Sequence, residues 1–267
     1  MNRFPATIVI PLRQQVDDYL EQAVRSALGQ TVPAEVFVVT APDTPESNLA
    51  LLARLEAQVG DQLRIERRPR AGFAAALNYA FGEAATDRVG LLFSDDWLDP
   101  NALELCLAVD AEIVSGSKRI WSDDGTNPLH LVWEGVGNET DLNKHDTLEA
   151  RARYVTHFLL MDRQSVLDAG GVDETLGDRS GVDDYDMLWT MLERGASVGF
   201  TDRAVYNVRD HYGVRLTLRP PEEHLASLVK ILTKHGLDDA TQAEIIPMHM
   251  RWFNRRLTDV LAEDAKG

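Results

Sequence analysis

The sequence predicts an α/β fold, a mostly parallel sheet with helices on both faces, and three observations carry that expectation. Short apolar runs rich in β-branched residues recur at 7–10, 36–39 and 89–93, long enough for strands and too short for buried helices. Stretches with apolar residues at helical spacing alternate with them, and right-handed crossovers then leave few arrangements other than parallel strands. Each run also ends abruptly, at Pro11, Thr40 and Ser94. In open sheets of this kind, ligands bind outside the carboxyl ends of the strands, where the strand order reverses.

In chain order, Tyr19, Leu20, Ala23, Val24, Ala27 and Leu28 form an apolar helical face, with Asp17 or Asp18 as N-cap and Gly29 as the stop. The second strand gives way to TAPDTPESN, a loop with two prolines, then to a helix over 49–59 closed by Gly60. Residues 63–66 read as a strand and the alanine-rich stretch 72–81 as a helix. After the strand at 89–93 comes the helical pattern ALELCLAV, then a strand at 113–117. Residues 121–147 lack periodicity and read as one long loop. An apolar run at 158–161, helical turns at 163–169 and a tight turn at Gly170 and Gly171 follow. A helix bearing Leu188, Met191 and Leu192 ends at Gly195, and strands at 198–200 and 205–208 come next. Beyond Pro220 and Pro221 lie two amphipathic helices, 222–235 and 244–261.

Composition narrows the function. A formal net charge of −16 argues against an electrostatic grip on nucleic acid or on an anionic membrane surface. No apolar run is long enough to cross a bilayer and the start MNRFPATIVIPL lacks a signal-peptide pattern, so the expected setting is cytoplasmic. The single cysteine, Cys106, excludes an intrachain disulfide and reads as a buried hydrophobe. No dinucleotide fingerprint follows the first strand, and no phosphate-binding P-loop occurs in the chain.

The chemistry concentrates in RVGLLFSDDWLDP, where a buried run stops on Ser94, Asp95 and Asp96. Two adjacent carboxylates at such a place lose water and repel each other. A hard divalent cation shared with substrate phosphates relieves both costs. The competing reading is that Ser94 or Asp95 caps a helix beginning near Pro100 while Asp96 stays solvated.

These residues in this order resemble the family-2 glycosyltransferases of GT-A fold, over about residues 7–211. The opening strand, helix and second strand carry the S-x-L-x-Q-T-x-P signature at Ser26, Leu28, Gln30, Thr31 and Pro33. RAGFAAALNYAF is similar to the family's G-x-x-x-A-x-N segment, LLFSDDWLDP to its metal-binding acidic motif, and GGVDETL followed by DDYDMLWTMLERG to the stretch holding the acceptor-activating carboxylate.

The resemblance implies a GT-A domain over 1–220, with a nucleotide-binding half (1–119) and an acceptor half (120–220), and a helical extension at 221–267. It implies inverting transfer of a sugar from a nucleotide-diphosphate donor, with uridine the commonest base, to a glycan, lipid-linked or small-molecule acceptor. Donor contacts fall on Pro11, Arg13, Thr40, Asp43, Arg70, Gly72, Asn78, Ser94 and Asp95; Asp95, Asp96 and His211 hold Mn²⁺ or Mg²⁺. Phe93 stands where the family has an acid, leaving open which of Asp95 and Asp96 ligates the cation, and Thr40 and Ala41 replace a base-reading acid pair. Asp184 takes the general-base position, with Asp183 and Asp186 expected to raise its pKa by like charge. Trp133, Trp189 and His157 are candidates to pack against a sugar ring, although Trp189, at helical spacing among apolar neighbours, reads first as core, and a homodimer through the C-terminal helices is left open. Two alternatives stand beside this reading. A sugar-1-phosphate nucleotidyltransferase needs a Gly-rich basic loop that PLRQQVDDYLE does not supply; a non-catalytic binding domain accounts for Phe93 and Thr40.

Overall fold

In a computed structural model, which describes residues 3–69, 72–123, 125, 127–176, 182–211 and 220–264 with side chains to 251, the expected alternation is realised. The first half runs β1 (Thr7–Leu12), α1 (Asp17–Leu28), β2 (Glu35–Thr40), α2 (Glu46–Val59), β3 (Leu63–Arg67), α3 (Phe73–Glu83) and β4 (Arg88–Leu91). Next come β5 (Trp97–Leu98), α4 (Ala102–Leu107), β6 (Ile113–Ser115), β7 (Lys118–Asp123), β8 (His130–Gly135), α5 (Glu139–Leu142) and α6 (Leu148–Tyr154). The chain closes with β9 (Leu159–Asp162), α7 (Arg163–Asp168), α8 (Asp183–Glu193), β10 (Val198–Phe200), β11 (Tyr206–His211), α9 (Pro221–Lys234) and α10 (Asp239–Asp264).

Seven strands form the main sheet in the order β10-β6-β9-β4-β1-β2-β3. All neighbours are parallel except β9, which runs antiparallel to both β4 and β6. The pleat sorts successive side chains to opposite faces. Val9, Phe37, Val39, Leu159 and Met161 join α3, α8 and α9 in one core, while Ile8, Ile10, Val36, Val38 and Leu160 join α1, α2 and α4 in the other. Both faces are therefore covered, as a parallel sheet requires. Leu228, Ile231 and Leu232 of α9 and Ile245 of α10 are buried in the first of these cores.

The sequence expectations need three local corrections. Residues 121–147 are not one loop. β7 and β8 pair antiparallel and join β5 and β11 in a second, four-stranded sheet. Neither strand of this hairpin is buried on either face, so it carries no apolar alternation to read. At α1, Val16 occupies the N-cap and Asp17 and Asp18 lie in the first turn, where their charge faces the positive end of the helix. At α4 the cap position is Asn101, with no side-chain cap bond, so neither Ser94 nor Asp95 is a cap.

Candidate active site

β1 and β4 are neighbours, and the chain leaves them in opposite directions across the sheet, which opens a crevice at their carboxyl ends. The Phe93 to Asp96 turn lies there, closed by Asp96 N donating to Phe93 O at 3.2 Å. The two acids, alike in sequence, face different partners. Asp96 is buried: Tyr206 Oη donates to its Oδ2 at 2.6 Å and Arg209 N donates to its Oδ1 at 2.8 Å. Burial, then the Asp96 charge, push the Tyr206 phenol far above its ordinary range, so Tyr206 keeps the proton it donates. Asp95 Oδ2 instead lies 3.1 Å from His211 Nε2, and the His211 ring makes an edge contact with Tyr19 at 5.1 Å.

Arg209 holds this turn in place, and the sequence reading did not single it out. Its Nε donates to Asp95 O at 3.1 Å and its Nη1 to Asp123 Oδ2 at 2.6 Å, and it also bonds Gln22. The guanidinium sits 4.1 Å over the Tyr19 ring and 4.9 Å over Trp97. The available signal was period two: Asn207, Arg209 and His211 share one face of β11, and Asn207 donates to Asp99 Oδ1 at 2.9 Å.

The donor-side candidates divide sharply. Arg13 Nε and Nη2 donate to Asp43 Oδ2 at 3.0 and 2.8 Å, bridging the segments after β1 and β2 on the exposed rim. This hydrogen bond holds the Asp43 carboxyl below its usual range. Ser94 Oγ accepts from Gln15 Nε2 at 3.4 Å. Pro11 is buried inside β1, paired with Val39. Thr40 is likewise buried, with its hydroxyl donating to Glu66 O at 3.4 Å, so it offers no side chain to a base. Gly72, at the start of α3, has φ +136°, a conformation that disfavours any side chain. Arg70 lies outside the described residues, as do the residues after His211 to 219.

Asn78 is a further correction. Its Oδ1 accepts from Val172 N at 2.7 Å and its Nδ2 donates to Val172 O at 2.8 Å, so the amide pins the turn at Gly170 and Gly171 instead of facing a donor. Gly171 has φ +68°, and a Cβ there would lie 2.3 Å from Asn78 Oδ1. The G-x-x-x-A-x-N segment thus ties α3 to the second half of the chain.

On that half, Asp184 lines a cavity of about 190 Å³ with Lys118, Thr156, His157, Tyr185 and His249. His157 Nε2 lies 2.8 Å from Asp184 Oδ2. The Asp184 side chain is 30% exposed. Burial pulls its carboxyl up, but the hydrogen bond to His157, with the Tyr185 backbone N–H and Lys118 behind it, outweighs that, and the group lies below the usual aspartate range. The upward shift expected from Asp183 and Asp186 is not found: the carboxyl lies below its ordinary range, and burial alone is the upward influence on it. Asp186 is buried and engaged elsewhere: Lys234 Nζ donates to its Oδ2 at 2.7 Å and His235 Nε2 lies 3.0 Å from its Oδ1. Trp189 stacks on His235 at 4.0 Å and belongs to the core, and Trp133 is exposed on β8.

One aromatic layer joins the two ends of the site. The Phe93 ring meets His157 edge-on at 4.8 Å, and Tyr206, whose hydroxyl holds Asp96, lies 5.5 Å from the same imidazole. Phe93 at the acid position therefore builds a wall between the acidic turn and Asp184 and its histidine.

Sheet order and the acidic turn at the strand ends make this a GT-A type fold. TarS 1-349 of S. aureus, in complex with UDP-GlcNAc, shares it with a TM-score of 0.64 at 14% identity, covering 95% of this chain and 72% of that one. The mannosyltransferase PcManGT of Pyrobaculum calidifontis, in complex with GDP-Man and Mn²⁺, gives 0.61 at 16% identity, covering 100% of this chain and 76% of that one. The chain belongs to glycosyl transferase family 2, whose family model matches residues 7–167. A hyaluronan synthase of Pasteurella multocida is 32% identical over 107 residues, which are 40% of this chain and 11% of that protein, so the chain spans about a tenth of that relative. Among the described residues no helix is long and apolar enough to cross a membrane.

Proposed function

We propose that this chain transfers a sugar from a nucleotide-diphosphate donor, a UDP-sugar in the first instance, to a glycan hydroxyl with inversion. The observation that carries the reading is Asp184, an ionised, partly exposed carboxylate in a cavity one aromatic layer away from the Asp95 and His211 pair. In an inverting transfer the acceptor oxygen attacks the anomeric carbon as the bond to the diphosphate oxygen breaks, and the electron pair leaves with the diphosphate. Asp184 takes the proton of the attacking hydroxyl as that bond forms.

Among the described residues no group of three His, Cys, Asp or Glu side chains makes a ready cation cage. A cation whose shell is completed by diphosphate oxygens needs only one or two protein ligands. Asp95 and His211 fit that requirement, a carboxylate oxygen and an imidazole nitrogen 3.1 Å apart, and would hold Mn²⁺ or Mg²⁺. When bound, the cation supplies charge that offsets the leaving diphosphate. Asp96 is not a ligand in this reading, since both its oxygens already accept hydrogen bonds. Asp43, kept ionised by Arg13 on the rim, is an acceptor suited to a ring N–H of the base.

UDP leads because TarS is described with UDP-GlcNAc, and the glycan acceptor follows the hyaluronan and chondroitin synthases among the relatives. PcManGT carries GDP-Man on the same fold, so base identity is a matter for experiment. The test is thermal stabilisation by UDP and by GDP, each with and without Mn²⁺. A ligand at a hundred times its dissociation constant stabilises by about 2.7 kcal/mol. UDP stabilisation that needs Mn²⁺ supports the reading; stabilisation by neither nucleotide sinks it.

A further inference from the structure

Asp184 is held by a residue that neither the acidic motifs nor the helix carrying the base contain. His157 lies between α6 and β9, in the segment that brings the chain back into the main sheet. Its Nε2 is 2.8 Å from Asp184 Oδ2. Its other ring nitrogen, Nδ1, is buried and, among the described residues, has no hydrogen-bond partner. A buried N–H left unmade costs roughly 1–3 kcal/mol, so a proton on Nδ1 is disfavoured and the single proton belongs on Nε2, pointing at the carboxylate. The ring cannot turn away to find water on its other side. Phe93 meets it edge-on at 4.8 Å, and Tyr206 lies against it at 5.5 Å with its own hydroxyl fixed on Asp96.

We propose that His157 is the positioning residue of the base: donating from Nε2, it holds the Asp184 carboxylate in one orientation and in its charged form while the acceptor hydroxyl approaches. The inference rests on Asp184 being the base, and it adds the residue that prepares it. The aromatic walls have a role in this. By denying Nδ1 a partner, Phe93 and Tyr206 make His157 a one-directional donor, so a hydrophobic residue at position 93 serves the acceptor side of the reaction although it lies in the donor-side motif. Other titratable or charged groups face Asp184 too: Lys118 on β7, Arg153 on α6, Tyr185 on its own helix and His249 on α10. Of these, Lys118 adds a smaller downward pull on the Asp184 carboxyl than His157 does.

The test is the pH profile of kcat/KM in three variants. His157→Phe keeps an aromatic ring and removes the donor. The carboxylate then loses the bond that favours its charged form, so the acid limb moves to higher pH, and each displaced unit costs tenfold in rate on the acid side. His157→Gln, whose amide donor reaches about as far as Nε2, returns the limb toward wild type. A His157→Phe limb at the wild-type position, or a Gln variant no better than Phe, overturns the proposal. Asp184→Asn separates this from failure of the underlying reading: if that variant keeps more than about a tenth of wild-type turnover, the base lies elsewhere. Should His157→Phe not fold, nitrogen chemical shifts of His157 in the wild-type chain decide. The proposal requires the proton on Nε2 and a bare Nδ1 at neutral pH, and the opposite tautomer overturns it.

Discussion

Two acidic clusters dominate this chain, one at the turn after β4 and one at the start of α8, and they look alike in sequence. FSDDW and VDDYD each place acids side by side at the edge of an apolar stretch. In space each divides in the same manner. One acid is buried and saturated: Asp96 by Tyr206 and the Arg209 backbone, Asp186 by Lys234 and His235. Another meets a histidine and stays partly exposed: Asp95 with His211, Asp184 with His157. The saturated acid anchors an element, β11 in one case and α9 in the other, and the other acid keeps part of its side chain exposed, which is where the proposal puts the chemistry. Adjacent carboxylates thus need not repel across a shared site, because burial and hydrogen bonding send them to opposite tasks.

The comparison breaks most visibly at Asp184. With donor and acceptor saturating, Asp184→Asn is expected to lower turnover by about 10²–10⁴-fold while Mn²⁺-dependent stabilisation by UDP persists. A rise confined to KM would instead make Asp184 an acceptor-binding residue.

Next in size is the contrast between Asp95 and Asp96. Asp95→Asn should lose most of the roughly 2.7 kcal/mol of Mn²⁺-dependent stabilisation that saturating UDP supplies to the wild type. Asp96→Ala should retain that increment yet melt earlier, since it strands Tyr206 Oη and the Arg209 N–H at a cost of about 1–3 kcal/mol. If Asp96 variants lose the metal dependence and Asp95 variants keep it, the assignment of the two acids is reversed.

The same division predicts that Asp186→Asn is a stability variant with near-normal turnover. Its side chain is 1% exposed, and removing the charge leaves Lys234 and His235 facing a neutral amide. About 1–3 kcal/mol is expected in denaturant melts, the partial exposure of Lys234 keeping it below the full cost of a broken buried pair. A large fall in turnover with unchanged stability would place the base at Asp186.

The smallest effect is a pH dependence. Burial pulls the His235 pKa down, but hydrogen bonds to Asp186 and Glu193 outweigh it and raise it above its ordinary value of 6.5. A raised folded-state value means that this contribution is complete below about 6.5 and is lost as pH rises through the folded value. The melting temperature should therefore fall over that window in the wild type and fall less in His235→Gln. Equal slopes would show that the α9 anchor does not depend on the imidazolium.

Much of this was legible in the sequence, for reasons of pattern. The runs at 7–10, 36–39 and 89–93 are β1, β2 and the strand before the acidic turn, because strands buried on both faces must be apolar throughout. Helices closed by Gly29, Gly60 and Gly195 appear where the spacing placed them. The β7 and β8 hairpin was not legible, since one strand is half-buried and the other almost wholly exposed along its length, and neither has a buried face to impose apolar alternation. Asn78 stood in a recognisable segment, but its partner Val172 is 94 residues away, and nothing local announces that contact.

The sequence by itself determined the layered sheet, the places where its strands end and the residue types gathered there, because periodicity and charge are local properties of the chain. Only the tertiary structure decided which of two neighbouring acids does what. That choice depends on which side chain β11, α9 or the segment before β9 brings within about 3 Å, and hydrogen bonding at that range overrides the equivalence of chemically identical carboxylates.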